Sequence, residues 1–247
     1  MEPQIKTGFT VIETMLFLAI SGVLIAGLLV GVGSSINVQR YRDSVTSLRS
    51  FLQQQYFDVL NVSNDSIKND CYGDNATDVL RGQSNCVILG RYITTSETGD
   101  SLTSKIVIGY RDPSLSVPTD EIDAIKQYGI KVSSIANNIF EIDWGSSVVD
   151  KSSNIMKLSM LILHSPSSRV IRTFIDTTQV ISVNNIQKML VAIAPSTIPV
   201  SLKIPATLCV RPSNYFAGTS KMAVYIQPNA TSASDVDTLG DNNNGCN

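Results

Sequence analysis

The residue with the clearest chemical role is Glu13, a carboxylate at the edge of a long apolar run. Between Thr14 and Gln39 the chain carries no charged residue. A carboxylate at the centre of a bilayer costs about 2.5–3.5 kcal/mol on insertion scales, so an ionisable residue beside a span suggests a function and needs a partner. Cleavage after Gly8 would create an α-amino group on Phe9, one helical turn from Glu13, that could pair with this carboxylate, most usefully in a neighbouring copy. The alternative is an interfacial glutamate whose side chain reaches water.

The C-terminal stretch contains a weaker candidate, a calcium-binding loop. Its D-x-D-x-x-G-D-x-N spacing follows an EF-hand loop at the first, third, sixth, seventh and ninth positions. The candidate ligands are Asp235, Asp237, Asp241 and Asn243. Leu239 occupies the fifth position, where a ligand belongs, and Cys246 occupies the place of the bidentate glutamate. The alternative is a solvated polar tail tied down by Cys246.

Sequence signatures of catalysis are absent from the chain. The only histidine is His164, and no G-x-S-x-G nucleophile turn accompanies it. There is no phosphate-binding P-loop and no C-x-x-C pair for zinc. The net charge of −2 excludes the broad basic surface of a nucleic-acid-binding domain. We therefore expect a protein that is not an enzyme and has no cofactor, apart from the possible calcium ion.

The apolar run predicts the element that positions Glu13, a single membrane-spanning helix. Residues Met15–Val32 are apolar apart from Ser21 and glycines. About 20 such residues span the hydrocarbon core as a helix. A secretory signal peptide has a shorter apolar region of about 7–15 residues that ends at a small-residue cleavage site. We therefore expect a span over about residues 14–35, in contact with the lipid bilayer.

Four cysteines follow the span and indicate where the rest of the chain resides. An even number without metal-binding spacing favours disulfides, which persist in oxidising compartments. Lys6 precedes the span and Arg40, Arg42 and Arg49 follow it, so the distribution of positive charge does not decide the orientation. The cysteines and the short N-terminal flank favour a single-pass protein of the cytoplasmic membrane with an extracytoplasmic C-terminal head.

Hydrophobic periodicity predicts the α+β class, with one long helix followed by an antiparallel sheet. The apolar residues Tyr41, Val45, Leu48, Leu52, Tyr56 and Val59 recur at helical spacing, which extends the helix over residues 9–61. A short helix is expected at Thr119–Tyr128. Strands are expected at Val87–Thr94, Lys105–Tyr110, Lys131–Ile135, Ile139–Trp144, Ile155–His164, Arg169–Asp176, Gln187–Ile193, Ala206–Arg211 and Met222–Gln227. This order of elements predicts a sheet packed against the outer half of the helix, in a head over residues 62–247.

The N-terminal residues carry a resemblance to a known family. Gly8-Phe9-Thr10-Val11-Ile12-Glu13, followed at once by the apolar run, resembles the class III signal of type IV pilins, minor pilins and type II secretion pseudopilins. The likeness covers about residues 1–35. It implies a pilin-like fold and a leader, residues 1–8, that a prepilin peptidase removes after Gly8 with N-methylation of Phe9. It also implies that Glu13 pairs with the amino terminus of an adjacent subunit during assembly.

The same resemblance implies a function as a structural subunit of a type IV pilus-like filament. Its partners would be the prepilin peptidase, other pilin subunits bound through the N-terminal helix, and the inner-membrane assembly machinery. The assembled filament would be periplasmic or extracellular, and no ligand of the head can be identified from the sequence. The alternative from another class is an uncleaved, single-pass anchored receptor or adhesin domain. Whether the mature chain begins at Phe9 distinguishes the two functions.

Of the three possible disulfide pairings, we predict Cys71–Cys86 with Cys209–Cys246. The first would close a loop rich in Asp, Asn and Gly, and the second would tie the polar C-terminal tail to the strand Ala206–Arg211, much as C-terminal disulfide loops do in pilins. Residues 228–247 hold only two large aliphatic side chains, Val236 and Leu239. We therefore expect the tail to depend on the disulfide for its anchoring.

Overall fold

The structure is a computed structural model of the 247-residue chain. It describes residues 10–61, 86–110, 114, 116–118, 121–166, 168–190, 204–213, 221–240 and 245–246. The chain divides into two compact units, Met1–Arg40 and Tyr41–Asn247. We call them the N-terminal unit and the head. The head in this sense includes the outer part of α1 as well as the predicted head, residues 62–247. One helix, α1 (Val11–Leu60), contributes residues to both.

Helix α1 changes character along its length, as its sequence pattern predicts. In the N-terminal unit most of the described large apolar side chains are exposed, and α1 is long and apolar enough to cross a membrane. In the head, one face of the helix is buried. All six residues of the predicted face are buried there, namely Tyr41, Val45, Leu48, Leu52, Tyr56 and Val59. The predicted long helix, packed through one stripe, is confirmed in the head.

Nine strands lie in the described part of the head and form two antiparallel sheets. They are β1 (Cys86–Thr95), β2 (Ser101–Tyr110), β3 (Lys131–Glu141), β4 (Ser147–Val149), β5 (Ser159–His164), β6 (Ile171–Asp176), β7 (Ala206–Arg211), β8 (Met222–Ile226) and β9 (Val236–Leu239). The first sheet has the order β3-β2-β1-β5-β6 and the second has the order β4-β7-β8-β9. Every strand pair in both sheets is antiparallel, as the sequence predicted.

Two hydrophobic cores hold the described part of the head together. The larger core joins the buried face of α1 to residues of both sheets, including Ile93 and Met160 from the first and Leu208 and Val224 from the second. The smaller core lies on the other face of the first sheet, under helix α2 (Glu121–Gln127) and a 3₁₀ segment, Val183–Leu190. The first sheet is therefore covered by apolar contacts on both faces.

Three predicted strands differ from the structure. The strand predicted at Gln187–Ile193 is wrong for its described residues, because Val183–Leu190 is a 3₁₀ helix. Its buried residues are Ile186, Met189 and Leu190, whose spacing belongs to one face of a helix. The two strands predicted between Lys131 and Trp144 are a single strand, β3, because Asn137 and Asn138 pair with β2 instead of forming a turn.

The C-terminal tail is anchored by more than its disulfide, which corrects the expectation from its composition. Strand β9 pairs with β8, and Val236 is fully buried in the larger core. Ala230 is also buried in that core. Val236 and Ala230 are sufficient to anchor the tail, because the pairing of β9 with β8 also supplies backbone hydrogen bonds.

Candidate functional site

Glu13 lies in the first turn of α1, where it forms a reciprocal capping pair with Thr10. The Thr10 N–H donates to Glu13 Oε2 at 3.4 Å, and the Glu13 N–H donates to Thr10 Oγ1 at 3.3 Å. This is the capping box of an S/T-x-x-E sequence, which satisfies two backbone donors at once. Sequence analysis missed this arrangement, although the spacing of Thr10 and Glu13 is its signature.

The capping box matters because the start of a helix has N–H groups without an intrahelical partner. In hydrocarbon, each unsatisfied backbone group costs several kcal/mol. Thr10 and Glu13 satisfy two backbone N–H groups, and the Thr10 N–H gives the carboxylate one hydrogen-bond donor within its own chain. Both residues are exposed, so nothing else in the described chain covers the carboxylate. It remains accessible to a second molecule.

The surface around Glu13 is apolar. The exposed large side chains of the N-terminal unit include Val11, Ile12, Met15, Leu16 and Phe17. Such a surface is stable in contact with lipid or with other apolar helices, and it is unfavourable in water. The site therefore consists of one carboxylate at the start of an uncovered apolar helix.

The predicted processing residues, Gly8 and Phe9, lie outside the described residues. The cleavage site after Gly8 and the α-amino partner on Phe9 therefore stay predictions. The described chain begins at Thr10, the residue that caps α1.

The structure contains the disulfide between Cys209 and Cys246. Cys209 is buried on β7, and the Cα atoms of the two residues are 5.9 Å apart. The bond joins the chain end to the central part of the second sheet, as expected for the C-terminal tail. Cys71, the predicted partner of Cys86, lies outside the described residues, so that pairing stays a prediction for a non-reducing peptide map.

Removing the disulfide is expected to lower the free energy of unfolding by about 4 kcal/mol, because the crosslink restricts the unfolded chain. The variant is Cys209→Ala with Cys246→Ala. The ladder between β8 and β9 does not depend on the bond, so the native fold should persist. Urea unfolding in detergent micelles measures the change. Cys246→Ala alone is the matched control and should lose a similar amount, whereas a loss below about 1 kcal/mol would contradict the prediction.

The calcium candidates have protein partners where the structure describes them. The Asp235 carboxylate accepts hydrogen bonds from the backbone N–H groups of Thr231 and Ser232, and these hold its pKa below the usual range. Asp237 lies on β9 and forms an ion pair with Arg49 at 3.4 Å. Asp241 and Asn243 lie outside the described residues. Among those that are described, no three His, Cys, Asp or Glu residues are placed to hold a metal ion.

His164 lies at the end of β5 and bonds to the backbone of a neighbouring strand. Its Nε2 is 2.8 Å from the carbonyl oxygen of Ile88, so it can donate to that oxygen as the neutral or the charged ring. Its Nδ1 is buried and has no hydrogen-bond partner within the described residues. In this arrangement His164 stabilises the strand and forms no hydrogen bond to a serine or a carboxylate in the described chain.

Comparison of the chain with protein-family models, with curated proteins and with solved structures finds no match. The function must therefore be inferred from the chain's own residues.

Proposed function

We propose that the chain is a structural, non-enzymatic subunit of a type IV pilus-like filament, assembled from the membrane through α1. The observation that carries the proposal is Glu13, an accessible carboxylate at the start of an exposed apolar helix. It follows Gly8 and Phe9 at the spacing of the signal that the sequence resembles. The chain is a pilin, minor pilin or pseudopilin, and it functions in a filament outside the cytoplasm.

The chemistry of Glu13 supports this proposal over a simple anchor. An anchor needs only an apolar helix, and a carboxylate beside the span makes insertion less favourable. A carboxylate that can pair with the amino terminus of an adjacent copy makes association favourable, because opposite charges attract strongly in a medium of low dielectric constant. Before assembly, the capping box gives the carboxylate one hydrogen-bond donor, the Thr10 N–H.

The architecture of the head is compatible with the same role. The part of α1 in the head is fixed by buried polar contacts as well as by apolar ones. The Tyr41 hydroxyl donates to the carbonyl oxygen of Val210 at 2.8 Å and accepts from the N–H of Met222 at 2.7 Å. The Gln55 side chain accepts from the Ser104 hydroxyl at 2.6 Å. These contacts fix the register of the head part of α1 on both sheets.

The test is the start of the mature chain. We expect cleavage between Gly8 and Phe9, which gives a chain eight residues shorter with one added methyl group on Phe9. Intact mass spectrometry of membrane-extracted protein, from cells with a prepilin peptidase, measures it. Gly8→Glu should block cleavage, whereas Thr7→Glu, one residue earlier in the leader, is the matched control. A wild-type chain that keeps Met1 would refute the filament proposal and favour an uncleaved anchored receptor or adhesin.

A further inference from the structure

Arg42 is a charged residue of α1 whose side chain the head does not engage. It is exposed, and among the described residues no hydrogen bond or ion pair involves its guanidinium. Arg49, two turns further along the helix, is different. It forms an ion pair with Asp237 at 3.4 Å and donates to the carbonyl oxygen of Val236 at 3.3 Å. The described head therefore binds the guanidinium of Arg49 and leaves that of Arg42 accessible to another molecule.

Arg42 follows closely on the uncharged stretch of the helix. The residues from Thr14 to Gln39 carry no charge, and all of them belong to α1. At a rise of about 1.5 Å per residue, they form about 40 Å of helix. The hydrocarbon core of a bilayer is about 30 Å thick, and the headgroup layers bring the total to about 40–45 Å. When this stretch crosses a bilayer, the long side chain of Arg42 is within reach of the headgroup phosphates.

The backbone at Arg42 is fixed by the residue before it. Tyr41 is buried, and its hydroxyl bonds to Val210 of β7 and to Met222 of β8. A group on a fixed backbone has less conformational freedom to lose when it binds. Only the side chain of Arg42 needs to become ordered on a ligand.

A positive charge at this place is unfavourable for the proposed orientation. Lys and Arg close to a span favour the cytoplasmic side, so Arg42 opposes export of the head. Lipid phosphates are the anions that lie nearest to it once the head is exported. The planar guanidinium can donate two parallel hydrogen bonds to one phosphate. A phosphate contact therefore gives this residue a role that topology does not.

We propose that Arg42 binds the phosphate of a phospholipid headgroup in the leaflet on the side of the head. Arg40, which is also exposed, adds a second positive charge near the same leaflet. The contact keeps the start of the head part of α1 at the bilayer surface. It requires that α1 spans a membrane, a property that the filament subunit and the anchored receptor share. The inference therefore goes beyond the proposed function.

The test measures which lipids the full chain retains in a neutral detergent. Native mass spectrometry compares phosphatidylglycerol with a diacylglycerol that carries an uncharged sugar in place of the phosphate. The wild type should retain more phosphatidylglycerol, and Arg42→Gln should lower that retention by about fivefold. Retention of the uncharged lipid should be the same in both chains. Equal retention of phosphatidylglycerol by Arg42→Gln and the wild type would overturn the contact.

Three further variants control for charge and geometry. Arg169→Gln removes the same charge from an exposed arginine in the turn between β5 and β6, and it should bind as the wild type does. Asp43→Asn removes an exposed carboxylate beside Arg42, so it should raise retention by lowering repulsion of the phosphate. Arg42→Lys keeps the charge without the planar fork and should be intermediate. An equal loss in Arg169→Gln and Arg42→Gln would overturn the assignment to Arg42.

Other occupants of Arg42 give different results. Binding of inorganic phosphate that Arg42→Gln abolishes, with equal retention of the two lipids, would show a free-anion site and overturn the lipid contact. Wild-type lipid retention by Arg42→Gln together with a loss of filaments would assign Arg42 to a neighbouring copy and also overturn it. A wild-type chain that keeps Met1 and still prefers phosphatidylglycerol would refute the filament proposal and leave the lipid contact intact.

Discussion

Glu13→Leu is expected to abolish incorporation of the chain into filaments and to leave its insertion into the membrane intact or improved. Insertion should not suffer, because the substitution removes a charge from the edge of an apolar helix. Assembly should fail, because leucine offers no charge to the amino terminus of an adjacent subunit. Immunoblots of sheared filaments and of membrane fractions measure the two effects separately. Wild-type assembly of the variant would exclude Glu13 as the assembly carboxylate.

Two matched variants separate the charge of Glu13 from its capping role. Glu13→Gln keeps a side chain that can complete the capping box and loses only the charge. Thr10→Val removes the hydroxyl that accepts from the Glu13 N–H and keeps the carboxylate. If the charge carries assembly, Glu13→Gln should fail as Glu13→Leu does, and Thr10→Val should assemble better than either. The reverse order would mean that helix capping, and not charge, explains the loss.

Tyr56→Ala is expected to lower the free energy of unfolding of the head by about 4 kcal/mol, close to half of a typical domain's stability. Tyr56 is fully buried in the larger core, and its hydroxyl lies 3.0 Å from Thr173 Oγ1. Thr173 uses its only hydroxyl proton to donate to the carbonyl oxygen of Ala230 at 2.7 Å, so Tyr56 must be the donor to Thr173. Burial raises the pKa of the Tyr56 phenol, which keeps that proton in place.

The neighbouring residue provides the control for this prediction. Phe57 is 49% exposed on the same helix, so Phe57→Ala removes an aromatic ring without opening a buried cavity. It should change the free energy of unfolding by about 0.5 kcal/mol or less. Tyr56→Phe keeps the ring and loses one hydrogen bond, at a cost of about 1 kcal/mol. Urea unfolding in micelles compares the three variants, and equal effects at positions 56 and 57 would contradict the observed packing of α1.

Helix α1 could be predicted from sequence because its signals are local. Its buried face repeats every three or four residues, and backbone hydrogen bonds within a helix join residues four apart. The period alone therefore identified Leu48 and Leu52 as core residues, and both are fully buried. The apolar composition of Met15–Val32 likewise indicated a span without reference to any other segment. Gly8, Phe9 and Glu13 could be proposed as one motif for the same reason, since they lie within one short stretch of chain, and that motif stays a prediction.

Strand partners were decided by contacts between distant residues. Strands β1 and β5 pair although Gly90 and Leu163 are far apart in sequence, and no local pattern specifies that choice. The tail shows the same limit, because Val236 became a core residue only when β8 offered an edge and α1 offered an apolar face. The strand predicted at Ile139–Trp144 extends too far, because β3 ends at Glu141 and the next residues form a turn in which Asp143 accepts a hydrogen bond from Ser47. In each case the deciding interaction joins residues that are close only after the chain has folded, so its free energy cannot be inferred from neighbours along the sequence.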